Sequence, residues 1–203
     1  MSVWRALAAA CALTLLGGTL APGFAWAQHG APMARTVLTV TTPETPLVDQ
    51  EGRRFAFQDL RGRVVLVAFI YTSCHHVCPL IFDSVRAVQA RARAEGRRDI
   101  AAVFVTVDPE IDTPEILKAY ASRRDADLST TIFLTGSGGD LQTVWDTFGL
   151  KIKRLGRGLV EHPPLTFLAD ARGVVRYRYA GAILDSEAVL ADLRGIERTA
   201  LKD

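Results

Sequence analysis

Three features that would point to particular classes of protein are missing from this 203-residue sequence. Its 24 lysines and arginines are nearly balanced by 22 aspartates and glutamates, so it lacks the basic excess of a nucleic-acid-binding protein. It has no internal repeat, and after residue 46 it has no composition break typical of a linker. What is present is enough chain for one domain with its own hydrophobic core.

The sequence also lacks a convincing membrane span, although its first 27 residues resemble an export signal. Arg5 precedes an apolar run from Ala6 to Leu16, and Ala25-Trp26-Ala27 has the small-x-small pattern of a signal peptidase site. The run is about half of the roughly 20 residues that cross a bilayer. We therefore predict a signal peptide, 1–27, and a periplasmic protein, with an uncleaved anchor as the alternative. Lipid attachment at Cys11 is disfavoured because apolar residues continue beyond it.

Cysteine is scarce, and cleavage would leave only Cys74 and Cys78, with the loss of Arg5 lowering the formal charge from +2 to +1. The pair lies where an apolar, β-branched run gives way to an amphipathic helical pattern. Pro79 has no amide hydrogen, which suits the first turn of a helix, and it biases Cys78 away from helical angles. We predict a tight turn opening onto a helix whose amides and positive end favour the thiolate form of both sulfurs.

The rest of the chain alternates buried-strand and amphipathic-helix patterns. A flexible lead, 28–45, is followed by a domain, 46–203, that begins with a hairpin over Leu47–Phe57 and continues β, α, β, α, β, α, β, β, α. We predict a thioredoxin-like α/β sandwich, with a central mixed sheet flanked by helices and an N-terminal hairpin extension. Asp112 to Glu115 has the residues of a capping box. Lys151–Glu161 is either a long functional loop or an edge hairpin.

The spacing of the two cysteines leaves several chemistries open. Cysteines four residues apart can have α-carbons about 6 Å apart, close enough to form a disulfide or to let both sulfurs bind one ion. In an oxidising compartment such a pair normally becomes a disulfide, which is either structural or redox-active. The spacing alone does not choose among these.

Four motifs in order carry a family resemblance. The motifs are Tyr71-Thr72-x-Cys74-x-x-x-Cys78-Pro79, Val107-Asp108-Pro109-x-x-Asp112-Thr113-Pro114, Leu134-Thr135-Gly136 and His162 before a strand. Together they resemble the SCO/SenC family of copper chaperones for cytochrome c oxidase, over about residues 45–197. The resemblance implies a copper ion bound by Cys74, Cys78 and His162. It also implies a partner in the copper-binding subunit of the oxidase, with other copper carriers as further candidates.

Other side chains near the cysteines have alternative roles. Asp108 follows a buried strand; it either orients a ligand or steadies the loop, or it is an ordinary strand-end turn residue. His75 and His76 are expected to point outward, but a ligand from either would favour zinc. Where the family usually has Asp-His-Ser or Asp-His-Thr, this chain has Glu161-His162-Pro163-Pro164. One of the two prolines is a candidate for a cis peptide bond.

Two functions fit these sequence features best. The first is an exported copper metallochaperone, a carrier and not an enzyme, that assists assembly of the oxidase copper site; two soft thiolates and an imidazole suit Cu(I) and also tolerate Cu(II). The second is a thiol-disulfide oxidoreductase in which Cys74 attacks and Cys78 resolves, acting on the copper-binding cysteines of the oxidase. Two further hypotheses are weaker. One is an exported binding module with a structural disulfide. The other is a thiol peroxidase, which is disfavoured because Thr72 is two rather than three residues before Cys74.

Overall fold

The structure is a computed structural model that describes residues 33–97 and 100–200. The predicted signal peptide, Cys11 and the first residues of the predicted lead lie outside the described residues. The elements are β1 (Ala34–Thr41), β2 (Leu47–Asp49), β3 (Arg54–Phe55), a short 3-10 helix (Phe57–Leu60), β4 (Val64–Ile70), α1 (Val77–Ala94), β5 (Ile100–Thr106), α2 (Pro114–Arg123), β6 (Thr131–Thr135), α3 (Gly138–Thr147), β7 (Lys153–Gly156), β8 (Leu159–Glu161), β9 (Leu165–Ala169), β10 (Val174–Ala180) and α4 (Ser186–Ala200).

Eight strands form one mixed sheet in the order β1-β10-β9-β4-β5-β6-β2-β3. The central strands β4, β5 and β6 are parallel, as expected for strands joined by helical crossovers. Strands β9 and β10 add antiparallel on one side, and the hairpin β2–β3 adds on the other. The predicted mixed sheet flanked by helices, with an N-terminal hairpin, is confirmed.

Helices cover both faces of this sheet because successive residues of the central strands point to opposite sides. All seven residues of β4 and of β5 are buried, which explains their continuous apolar runs. Under α1 and α2, ring centroids 5.2–6.4 Å apart join one aromatic cluster, formed by Phe82, Phe104, Tyr120 and Phe133. Under the end of α3, centroids 4.9–6.0 Å apart join a second cluster, formed by Phe57, Phe69, Phe148 and Phe167.

Part of the predicted flexible lead is an edge strand. β1 pairs antiparallel with β10, with a register shift between Val37 and Val40. Its side chains alternate between exposed and half-buried, and Arg35 makes two hydrogen bonds of 2.6 Å to the Asp192 carboxylate of α4. The segment is rich in Ala, Pro and Thr, and Val37, Leu38, Thr39 and Val40 do not alternate strictly between apolar and polar, so its sequence did not indicate a strand.

Three local predictions are also corrected or resolved. α2 is capped by the Thr113 side chain, which accepts from the Ile116 amide, so the capping box from Asp112 is wrong. The segment 151–161 contains a hairpin, but β7 and β8 form a separate two-stranded sheet and do not extend the main one. The peptide bonds preceding Pro163 and Pro164 are trans, so the prediction of a cis proline is wrong.

In the described part of the chain, no helix combines the length and the apolar character required to span a bilayer.

Candidate metal centre

The cysteine turn begins where β4 ends and closes at the first turn of α1. The Cys74 amide donates to the Tyr71 carbonyl at 3.2 Å, which closes the predicted turn. α1 begins at Val77, so Cys78 is already helical, contrary to the bias expected from Pro79. The Cys78 amide donates to the Cys74 sulfur at 3.4 Å, and neither cysteine is in a disulfide. Cys74 is half-buried, whereas Cys78 is completely buried.

The two sulfurs have opposite electrostatic surroundings. Burial opposes ionisation of Cys74, but the backbone amides of Cys78, His76 and Val77 outweigh it and lower the pKa of that thiol. Burial dominates at Cys78, and the neighbouring Cys74 adds to it, so the pKa of Cys78 is raised far above its ordinary value. The expectation that both sulfurs favour the thiolate therefore holds for Cys74 and is wrong for Cys78.

The pairing of β9 with β4 brings His162 to the cysteine end of the sheet. Ala68 lies opposite Thr166 in this antiparallel ladder, and His162 lies three residues before the start of β9. The His162 ring lies edge-on to the Tyr71 ring, with 6.1 Å between centroids. Burial lowers the pKa of His162, so the neutral imidazole is favoured.

The ring nitrogens of His162 differ in their surroundings. Nδ1 lies 3.1 Å from the Pro163 carbonyl oxygen. Because a carbonyl only accepts, this contact places the proton on Nδ1 and leaves the lone pair on Nε2. Metal-bound histidines are commonly oriented in this way, by donating the other ring N–H to a carbonyl or carboxylate.

Asp112 fixes the start of the cysteine turn, a role that the capping-box interpretation missed. Its completely buried carboxylate accepts from the Thr72 hydroxyl at 2.5 Å and from the Thr106 hydroxyl at 2.5 Å, and the Thr72 amide lies 3.2 and 3.3 Å from its two oxygens. Burial raises the pKa of Asp112, against these hydrogen bonds. The carboxylate thus joins the ends of β4 and β5 directly before Cys74.

Asp108 anchors the hairpin that leads to His162. Its carboxylate, 2 % exposed, accepts from Arg154 of β7 at 2.8 Å, and the same guanidinium lies 3.5 Å from Glu110. At the tip of the hairpin, a Cβ on Gly158 would lie 3.2 Å from Ile111 and 3.8 Å from the Cβ of Ser73. The hairpin therefore packs against the cysteine turn, and Asp108 steadies it from the end of β5.

The predicted ligands share this region, but the described residues do not form a closed site. Within residues 33–97 and 100–200, no three side chains of His, Cys, Asp or Glu converge closely enough to hold a metal ion. Cys74, Cys78 and His162 therefore do not meet as a set of three ligands in this structure. His75 and His76 are exposed, as expected.

A comparison with protein families decides the affiliation of this chain. The family model described as SCO1/SenC matches residues 39–197. The chain belongs to the SCO1/SenC family. Its curated relatives include a SCO2-like protein of Rickettsia prowazekii, 32% identical over 133 residues, which are 63% of each chain. A putative copper-binding protein of Stutzerimonas stutzeri is 35% identical over 108 residues, 53% of this chain and 52% of that one. The aligned region thus spans less than two thirds of these relatives.

Solved structures of SCO1/SenC proteins share the thioredoxin-like fold. A family lipoprotein of Bacillus anthracis superimposes with a TM-score of 0.73 at 28% identity, over 80% of this chain and 98% of that one. Arabidopsis thaliana ScoI, solved with copper bound, gives a TM-score of 0.67 at 22% identity, over 78% of this chain and 99% of that one. The second comparison supports the fold alone, and both agree with the predicted α/β sandwich.

The sequence analysis missed three residues of this candidate site. Tyr71 and Asp112 stand inside the recognised motifs, but their motif positions did not show that one contacts His162 and the other holds Thr72. Arg154 lies in the basic segment that resisted assignment. The sequence did contain one signal for Arg154. Asp108 follows a strand that is expected to be buried, and a buried carboxylate needs a cationic or hydrogen-bonding partner elsewhere in the chain.

Proposed function

We propose that this protein is an exported, periplasmic copper metallochaperone, and that the sulfurs of Cys74 and Cys78 and Nε2 of His162 bind its cargo. One observation supports this most directly: the fold brings a neutral imidazole with a free lone pair to the end of the sheet that carries two unbridged thiols. Two soft sulfurs and an imidazole suit Cu(I), and with a further ligand they also suit Cu(II).

Relatives support copper as the cargo. A relative from Stutzerimonas stutzeri is named a putative copper-binding protein, and the ScoI structures of Arabidopsis thaliana and Bradyrhizobium japonicum were solved with copper bound. The structurally similar protein BsSco is described as a member of the Sco family of cytochrome c oxidase assembly proteins. We infer that this chain helps assemble the copper site of that oxidase, with its copper-binding subunit as recipient and other copper carriers as further partners.

The chain would act as a carrier and not as an enzyme. Asp112 holds the cysteine turn, and the Asp108–Arg154 pair holds the hairpin that precedes His162. Movement of that hairpin would bring the imidazole to the sulfurs or withdraw it. Such a site exchanges its ion by stepwise substitution of ligands, because the half-buried Cys74 is accessible to an incoming thiol whereas Cys78 is not.

A titration of the reduced protein with Cu(I) against a calibrated chelator tests the proposal. We expect one equivalent to bind, and we expect Cys74→Ser, Cys78→Ser and His162→Ala each to weaken binding at least tenfold, which corresponds to about 1.4 kcal/mol. His75→Ala is the matched control and should leave the affinity unchanged. Binding that is indifferent to His162 would contradict the proposed ligand set, and no uptake would contradict the carrier function.

The difference between the two cysteines supports a second candidate, a thiol-disulfide oxidoreductase. The Cys74 thiolate would attack a sulfur of a disulfide in the target and form a mixed disulfide. The Cys78 thiol would then displace the target as a dithiol, leaving a Cys74–Cys78 disulfide and transferring two electrons. Reduction of a target disulfide by the copper-free protein, lost in Cys74→Ser and retained in His162→Ala, would favour this candidate.

A further inference from the structure

A groove beside Cys74 lies next to α2, and neither Tyr71 nor His162 lines it. It runs between the first turn of α1 and the last turn of α2 and encloses about 320 Å³. Its lining residues are Thr72, Cys74, His75, Pro79, Tyr120, Arg123 and Arg124. A molecule seated here would therefore lie against Cys74.

The groove carries an excess of positive charge. None of its seven lining residues is acidic, and two are arginines. The Arg124 guanidinium lies 5.5 Å from the centroid of the Tyr120 ring, and its carboxylate neighbour, Asp83, is 3.8 Å away and largely exposed. Two guanidinium-bearing side chains thus line the groove, and no carboxylate does.

Apolar surface lies next to this charge. Val77 and Leu80, in the first turn of α1 on either side of Cys78 and Pro79, are 40% and 47% exposed. A small anion would satisfy the guanidinium groups and leave these side chains in water. A peptide can place carboxylates on the arginines and cover the apolar turn with its other side chains.

We propose that this groove docks an acidic, cysteine-containing segment of the protein that exchanges thiols or copper with Cys74. The inference rests on the proposed function, which requires a partner thiol to reach Cys74. It goes further by assigning a negative charge to the partner segment that carries this thiol. Arg123 and Arg124 act as recognition residues and not as ligands. Their carboxylate partners would lie within a few residues of the partner cysteine.

Thiol exchange with synthetic peptides tests this without copper. The probes are three five-residue peptides with one cysteine as a mixed disulfide with 2-thiopyridine, flanked by two glutamates, two glutamines or two lysines. The Cys74 thiolate attacks the peptide sulfur and forms a new disulfide with it, and the old disulfide breaks as its electron pair leaves with thiopyridone, whose absorbance is followed. A Cys78→Ser background limits each chain to one exchange.

The acidic peptide should react about three- to tenfold faster than the neutral one at low salt, because an exposed guanidinium–carboxylate pair is worth up to about fivefold. The lysine peptide should be slowest. The preference should shrink at about 1 M salt, where the screening length is about 3 Å. The Arg123→Gln/Arg124→Gln variant should bring the acidic-to-neutral ratio near one. Using this ratio cancels any change in the reactivity of the thiol itself.

Arg63→Gln is the matched control, since Arg63 directly precedes β4 at the opposite end of the strand from the cysteine turn, and it should keep the wild-type ratio. Equal rates for the acidic and neutral peptides in the Cys78→Ser protein, or an unchanged ratio when Arg123→Gln/Arg124→Gln is added to it, would overturn the proposal. With Cys78 intact, the Arg123→Gln/Arg124→Gln variant should keep the copper affinity of the wild type. A chain that binds no copper but retains the peptide preference would refute the carrier function and leave the groove assignment standing.

Discussion

At the scale of single residues, the site depends on the different surroundings of Cys74 and Cys78. Cys74 is half-buried, and its sulfur accepts a hydrogen bond from the Cys78 amide, whereas Cys78 is completely buried in the first turn of α1. A ligand exchange or a disulfide exchange therefore begins at Cys74 in either proposed function. Cys78 takes part after Cys74 has reacted.

Alkylation of the reduced, copper-free protein should show this order. Because amides lower the pKa of Cys74, its thiolate is populated at lower pH than that of an ordinary thiol of pKa about 8.5. Iodoacetamide should modify Cys74 already near neutral pH, with the rate rising as the pH increases through its lowered pKa. Burial raises the pKa of Cys78, so this thiol should remain unmodified in the folded protein. Peptide mass spectrometry over a pH series measures both.

The control for this order is the protein unfolded in denaturant, in which both thiols should react at ordinary rates. Cys78→Ser should keep the pH profile of Cys74 almost unchanged, since several amides contribute to it. Preferential labelling of Cys78 in the folded protein would show that the assigned surroundings of the two sulfurs are reversed.

At the scale of elements, the hairpin β7–β8 connects three parts of the site. Arg154 binds Asp108 at the end of β5, Gly158 approaches Ser73 in the cysteine turn, and β8 ends at Glu161, directly before His162. One ion pair thus contributes to the placement of a residue eight positions further along the chain.

Arg154→Gln should release this hairpin. Amide hydrogen exchange over residues 153–161 should accelerate, and Cu(I) affinity should fall about tenfold toward that of His162→Ala. The buried Asp108 would lose its cation, and we expect about 2–3 kcal/mol lower stability, reduced from the full penalty of a buried pair because Arg154 is 36% exposed. Lys153→Gln is the control, since its nitrogen is 4.0 Å from Glu161 and both are exposed.

Adding Asp108→Asn to Arg154→Gln separates the two effects. Removing the uncompensated carboxylate should recover much of the stability but not the copper affinity, because the hairpin remains untied. Unchanged hydrogen exchange in Arg154→Gln would show that the ion pair does not hold the hairpin.

The sequence predicted the elements whose patterns are local. The continuous apolar run of β4, the helical spacing after Cys78 and the hairpin around Gly52 follow from burial and turn chemistry within a few residues. The Arg154–Asp108 and Asp112–Thr72 contacts join positions 46 and 40 residues apart. No local periodicity encodes such pairings, so only the fold shows them.

At the scale of the whole molecule, the described domain starts earlier than the predicted boundary at residue 46. β1 completes the edge of the sheet next to β10, and its Arg35 holds the largely buried Asp192 of α4, which also accepts from the Tyr179 hydroxyl at 2.9 Å. The Arg35 guanidinium lies 4.4 Å from the centroid of the Tyr177 ring. Strand and helix are thus joined through a segment whose composition suggested a flexible lead.

A chain beginning at residue 46 should therefore be less stable than one beginning at residue 33. It loses the β1–β10 hydrogen bonds and leaves the Asp192 carboxylate without Arg35, and the second effect alone should cost about 1–2 kcal/mol because Arg35 is 42% exposed. For a domain of this size each kcal/mol lowers the melting temperature by about 2–4 °C. Calorimetry of both chains measures the total, and Arg35→Gln in the longer chain isolates the ion pair. Equal melting temperatures would mean that β1 adds nothing to the stability of the domain, whereas a loss larger than that of Arg35→Gln assigns the remainder to the strand itself.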